Sequence, residues 1–195
     1  MRSIGITGGI GSGKTIVCRV LEALGYPVFY ADQAAKACMN EDMILRQEII
    51  ALLGQESYLR GEVNRPFIAE KIFASAELRT ALNALVHPAV FRAFEYWKKQ
   101  QDAALIFNES ALLFETGSYK RFDAIFLVTA DPEVRIQRVM QRDDVSREQV
   151  IARMENQWTD AQKEPLCTSV IKNDPDILVV PQILREVGKL LETAE

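Results

Sequence analysis

The chain reads as an α/β protein of the three-layer kind, in which short apolar strands alternate with helices and a glycine-rich loop joins the first strand to the first helix. Three observations lead there. Gly8-Gly9-Ile10-Gly11-Ser12-Gly13-Lys14-Thr15 is a complete G-x-x-x-x-G-K-[ST] sequence, set between an apolar run at residues 4–7 and a helical pattern over 15–24, the strand-loop-helix context such a loop requires. Four more apolar runs of strand length follow at residues 26–31, 104–108, 123–129 and 169–172. Between the first and second of these four lie ~60 residues of helical periodicity, more than a crossover helix needs.

Composition narrows the class. At 195 residues the chain is long enough for one well-buried core with appendages and short for two ordinary domains. Its 48% hydrophobic and 26% charged residues suit a globular protein in water, and no apolar run approaches the ~20 residues of a membrane span. A first strand that begins at residue 4 leaves no room for a cleavable leader, so a cytoplasmic, membrane-free protein is expected. The net charge of −4 argues against a nucleic-acid partner. Cys18, Cys38 and Cys167 are odd in number and lack C-x-x-C spacing, which suggests neither disulfides nor zinc.

Gly25 closes the first helix, and residues 26–31 form the second strand, expected beside the first and ending at Asp32. That position is where open α/β sheets place ligand chemistry, so Asp32 is the candidate acceptor-side residue; the plainer reading is an N-cap for a helix over 33–39. Helices follow over 41–53, 66–73, 77–85 and 89–101 with no strand between them, a loop at Gly61 and Arg65-Pro66, and a break at His87-Pro88. His87, the one histidine, either touches a substrate phosphate or ribose or bonds backbone at a helix end. Glu109 ends the third strand, where a second Mg²⁺-holding acid often sits in phosphate-loop proteins.

After the fourth strand, Asp131-Pro132 marks a helix start. Arg135, Arg138 and Arg142 then recur on one face, which reads either as a solvated stripe or as cations serving a phosphoryl group. Two capping boxes, at Ser146 and Thr159, open two polar helices. Residues 136–164 therefore read as a lid. A fifth strand over 169–172 and a closing helix over 181–193 complete the chain, with 177–180 open between helix and strand.

The loop's chemistry is that of a nucleoside triphosphate site. Glycines turn backbone N–H groups of the loop, Gly11, Ser12, Gly13 and onward to Ile16, toward phosphate oxygens; Lys14 brings a charge to the β- and γ-phosphates and the Thr15 hydroxyl suits Mg²⁺. The N-K-x-D and D-x-x-G sequences of guanine-nucleotide switches are absent. A small ATP-dependent kinase remains.

Beyond the loop, the chain resembles the dephospho-CoA kinase family from end to end, through Ala31-Asp32, Arg65 with Ile72-Phe73, Leu85-Val86-His87-Pro88, Leu112-Leu113-Phe114-Glu115 and Gln141-Arg142-Asp143. The resemblance implies phosphorylation of the 3′-hydroxyl of dephospho-CoA by ATP with Mg²⁺. It implies a phosphate-loop NTPase fold with a five-stranded parallel sheet, a helical acceptor-binding insertion near 41–102 and a lid, in a protein expected to be a monomer. Carried over, Asp32 faces the acceptor hydroxyl, Arg142 is the lid arginine, and Arg65, His87 and Glu115 belong to the acceptor region; Lys14, Asp32 and Arg142 form the catalytic set. Tyr30, Ala111 and Ile16 depart from the common pattern. Two rival readings stay open, a kinase for another acceptor and a nucleotide-binding module without turnover.

Overall fold

The computed structural model describes residues 1–192. β1 (Arg2–Thr7) runs through the phosphate loop into α1 (Lys14–Ala23), and β2 (Val28–Tyr30) passes directly into α2 (Ala31–Glu41). There follow α3 (Met43–Leu53), a small hairpin of β3 (Tyr58–Leu59) and β4 (Glu62–Val63), α4 (Arg65–Ala74) and the long α5 (Ala76–Lys98). The chain ends with β5 (Leu105–Glu109), β6 (Ala124–Thr129), α6 (Pro132–Asp143), α7 (Arg147–Glu155), the short α8 (Asp160–Lys163), β7 (Ser169–Lys172) and α9 (Val179–Glu192). Thr193, the predicted last residue of the closing helix, lies outside the described residues.

The five predicted strands make one parallel sheet in the order β2-β5-β1-β6-β7. Register pairs Ile4 with Phe107 on one side of β1 and with Ala124 on the other. These strands are buried almost throughout, from Leu105 to Phe107 and from Ala124 to Val128, as expected of a parallel sheet covered on both faces. Val17, Cys18 and Leu21 of α1 are fully buried, each contributing about 2 kcal/mol of apolar burial, and α1 lies against α9.

One adjacency differs from expectation. β5, not β2, is the neighbour of β1 on that side, so Asp32 follows the edge strand of the sheet. Sheet order is set by long-range pairing, which local patterns do not carry.

The chain divides into two compact units, one of Met1–Phe29 with everything from Gln101 onward, the other of Tyr30–Gln100. The division falls at Tyr30, earlier than the expected residue 41, because α2 turns Ala35, Cys38 and Met39 onto the core of the helical unit. That core gathers Leu45, Ile49 and Leu53 of α3, Ile68 of α4 and Leu82, Val86 and Ala89 of α5 around Tyr58, whose hydroxyl donates to the Met39 carbonyl at 2.7 Å. The hairpin of β3 and β4 is a strand pair where none was expected, four residues long and registered Tyr58 to Val63.

The expected break at His87-Pro88 does not occur either. Pro88 sits inside the 23-residue α5. Proline removes one intrahelical bond and disfavours the preceding turn, yet Leu82, Val86 and Ala89 on either side of it continue a single buried face. Packing along that face outweighs the local penalty.

In the sheet unit, α6 and α7 form a helical pair with a core of Ile136, Val139 and Val150, on which Ile10 of the phosphate loop also rests. Both predicted capping boxes are complete.

Candidate functional site

The phosphate loop begins where β1 ends, in the middle of the sheet, and ends on the first turn of α1. Gly13 holds φ 93°, and a Cβ there would lie 1.9 Å from the Asn173 amide nitrogen. Glycine is thus required for both conformation and space. Asn173, just past β7, donates from that nitrogen to the Ser12 carbonyl at 2.8 Å and fixes the inner bend of the loop.

Within the loop, the Ser12 N–H donates to Gly9 O and the Ile16 N–H to Gly13 O. The N–H groups of Gly11, Gly13 and Thr15 have no partner among the described residues. These are the donors a phosphate chain takes, reinforced by the start of α1. Lys14 curls its ammonium onto the Gly8 carbonyl at 2.9 Å and the Gly9 carbonyl at 3.5 Å, ready to exchange them for phosphate oxygens. Thr15 and Ile16 are exposed on the first turn of α1.

Glu109 ends β5 in register with Ile6 of β1. Burial first, and then the charges of Glu109 and Glu22, push the Cys18 thiol up to about 12, while Lys14 pulls it the other way. The carboxylate and the ammonium therefore both act at the base of the loop. Among the described residues no three His, Cys, Asp or Glu side chains gather as a metal cluster. A donor set of one hydroxyl and one strand-end carboxylate suits Mg²⁺ that keeps waters and rides on phosphates.

The arginine stripe of α6 separates into three different roles. Arg135 is buried, donating from Nε to Ile10 O at 3.0 Å and from Nη1 to Asp160 at 3.2 Å. Arg138 donates to the Asn173 carbonyl at 2.9 Å. Arg142 is 63% exposed and held by its neighbour Asp143 at 2.7 Å; Asp143 also receives Arg153 at 2.8 Å, and these arginines, Arg142 foremost, keep its carboxyl below the usual range.

Glu115 faces inward. Its Oε1 accepts from the Trp158 N–H at 2.8 Å and lies 3.1 Å from the ammonium of fully buried Lys163. The Trp158 ring stacks on Phe114.

In the helical unit, Asp32 is exposed in the first turn of α2, behind Tyr30 as N-cap. It makes no capping bond, so the N-cap reading fails, because the helix begins one residue before Asp32. Arg65 is the first residue of α4, capped by Asn64, and lines a cavity of about 190 Å³ with Lys36, Met39, Val63, Ile68, Ala69 and Ile72. A cation at a helix start is unfavourable unless an anion joins it. His87 lies exposed in mid-helix on α5 rather than at an end, and desolvation by the surrounding protein lowers its pKa.

Arg135, Asn173 and Gln157 are the residues that sequence reading missed. Arg135 figured only as one member of a stripe, and Asn173 and Gln157 carried no local signal.

A parallel sheet with the phosphate loop at its central strand, an invariant-type Lys14-Thr15 ending and an appended helical unit define a phosphate-loop kinase. Its shape matches a solved Thermus thermophilus protein with TM-score 0.88 and 35% identity over 97% of each chain. At 17% identity a shikimate kinase from Acinetobacter baumannii shares the fold with TM-score 0.56, covering 100% of this chain and 95% of its own.

The family model for dephospho-CoA kinase matches residues 2–178. A dephospho-CoA kinase of Bacteroides fragilis is 37% identical over 97% of this chain and 93% of its own, and one of Salinibacter ruber is 42% identical over 89% of each. The chain belongs to the dephospho-CoA kinase family.

Proposed function

We propose that the protein transfers the γ-phosphoryl group of ATP to the ribose 3′-hydroxyl of dephospho-CoA, giving CoA and ADP, the final step of coenzyme A synthesis. The observation that carries this reading is a complete phosphate loop with unpartnered N–H groups at Gly11, Gly13 and Thr15 in a chain of this family. Those groups and Lys14 take the triphosphate. Thr15, with Glu109 through water, would hold Mg²⁺, which would offset negative charge on the triphosphate.

Asp32 orients the acceptor hydroxyl and takes its proton as the O–P bond forms. Arg65 and His87 bind the acceptor. Glu115 shapes the acceptor side through the segment it holds, its carboxylate being engaged by Trp158 and Lys163. Arg142 exchanges Asp143 for phosphate oxygens as the outer part of the expected lid, from Arg142 through α7, shuts, while residues 157–163 stay bonded to Ile10 and Glu115. The protein acts as a cytoplasmic monomer with no nucleic-acid or membrane partner; no helix among the described residues is long and apolar enough to cross a membrane.

The test is a coupled ADP-release assay with ATP, Mg²⁺ and, in turn, dephospho-CoA, adenosine, AMP and pantothenate derivatives. Release specific to dephospho-CoA is the expected result. Release with another acceptor only, or ATP binding with no acceptor-dependent release, overturns it.

A further inference from the structure

Ile10, at the crest of the phosphate loop, is held at its backbone N–H and at its carbonyl, which belong to two successive peptide groups, by side chains more than a hundred residues away. Gln157 Oε1 accepts its N–H at 2.8 Å, and Arg135 Nε donates to its carbonyl at 3.0 Å. The Arg135 guanidinium lies so close over the neighbouring peptide that a Cβ on Gly9 would stand 1.8 Å from Nη2. A second glycine at position 9 is thus a matter of room for an arginine.

Neither holder is loose. Nη1 of Arg135 pairs with Asp160 at 3.2 Å, its side chain 8% exposed. Gln157 and Asp160 belong to the same short segment as Lys163, which is entirely buried and ion-paired with Glu115 at 3.1 Å. Trp158, between them, is pinned by its own N–H on Glu115 and by its ring on Phe114. Residues 157–163 therefore form a strut, fixed at one end by Glu115 and bearing at the other on the loop.

A glycine-rich loop without such support can turn a peptide over and present a carbonyl oxygen where an anion must sit. Gln157 opposes that rotation in the Gly9–Ile10 peptide, and Arg135 opposes it in the Ile10–Gly11 peptide, which carries the Gly11 N–H. The N–H groups of Gly11, Gly13 and Thr15 then keep one arrangement before any nucleotide arrives, and binding does not have to order them.

We propose that Gln157 and Arg135 are positioning residues that preorganise the phosphate loop for its nucleotide, with the Lys163–Glu115 pair as the anchor of the strut. The proposal rests on the reading of the loop as the ATP site and not on the identity of the acceptor.

Mg²⁺-ADP binding by calorimetry at 25 °C, beside melting curves, tests it in the full chain. Gln157→Leu keeps the bulk but removes the acceptor for the Ile10 N–H, and about tenfold weaker ADP binding is expected. Gln157→Glu restores the acceptor oxygen and should return affinity to within about threefold of wild type. In steady state, the loss in Gln157→Leu should appear in KM for ATP with kcat nearly unchanged, since cradle geometry serves ground and transition states alike. Arg135→Lys keeps the charge but cannot reach Ile10 and Asp160 together, and should weaken ADP binding by a similar factor. A Gln157→Leu protein with wild-type ADP affinity overturns the proposal, whatever its melting temperature. So does equal weakening in the Leu and Glu variants, which would show that an acceptor oxygen at position 157 is not what holds the loop.

Discussion

The candidate residues of the sheet unit and those of the helical unit are held on different principles. Around the phosphate loop each wall side chain is bonded, and Asn173 under Ser12 and Arg135 on Ile10 are also buried, with Gln157 half-buried beside them. In the helical unit Asp32, Arg65 and His87 stand exposed on three separate helices, with no side-chain hydrogen bond to any described residue. The loop is ordered by bonds within the protein, whereas these three side chains of the helical unit make none among the described residues. Ordering such side chains costs about 0.5–1.5 kcal/mol each when a ligand arrives, so if they receive the acceptor, as proposed, its binding energy is partly spent on completing its own site.

The largest effect should come from the free side. Asp32→Asn preserves shape but cannot take a proton, and a fall in single-turnover rate on the order of 10²–10⁴-fold with ATP affinity retained is expected if Asp32 is a base. Because Asp32 caps nothing, its melting temperature should barely move, and wild-type rates in that variant would remove Asp32 from the mechanism. On the ordered side, Lys14→Ala should lower turnover by ~10²-fold or more without unfolding the chain, since the loop's shape depends on other residues. Near-normal turnover there would remove Lys14 from the catalytic set.

Arg142 separates the two principles further, for it is an exposed side chain on the sheet unit. Arg142→Ala should reduce kcat about tenfold and leave ATP binding to the free enzyme almost unchanged, because the arginine reaches phosphate only after leaving Asp143. Weaker ATP binding with intact kcat would make it a ground-state contact.

The smallest effect concerns stability. Glu186 is 6% exposed; burial pushes its pKa up, but hydrogen bonds from Lys189, Ser169 and Arg185 outweigh that and bring it down to about 2. A folded-state pKa below the unfolded value contributes stability that is fully present above about pH 5 and is lost as the pH falls toward 2. Glu186→Gln should therefore cost about 2 kcal/mol at pH 7 and much less near pH 3, read from urea unfolding at the two pH values. Equal costs at both would assign the effect to packing.

What the sequence made legible is what is local. The phosphate loop, the Asp131-Pro132 start and both capping boxes are written within eight residues or fewer, and each stands as expected. Asn173, Arg135 and Gln157 act on the loop from 125 to 161 residues away, and nothing in their own neighbourhoods distinguishes them. For Pro88 the error was of another kind: a local rule was right about cost and silent about the buried face that outweighs it. The position of β2 at the sheet edge likewise depends on β5, more than seventy residues on.

The helical unit leaves the sheet unit after β2 and returns at β5, and those two strands are hydrogen-bonded neighbours. It carries a core of its own in Leu45, Ile49, Ile68, Leu82 and Val86. A segment that departs and rejoins at adjacent strands is, in evolutionary terms, a cassette: its length and sequence can drift, or be exchanged, while the register of β1 and the loop behind it stay as they are. If acceptor recognition resides in that cassette, a change of acceptor requires no change in how the nucleotide is held.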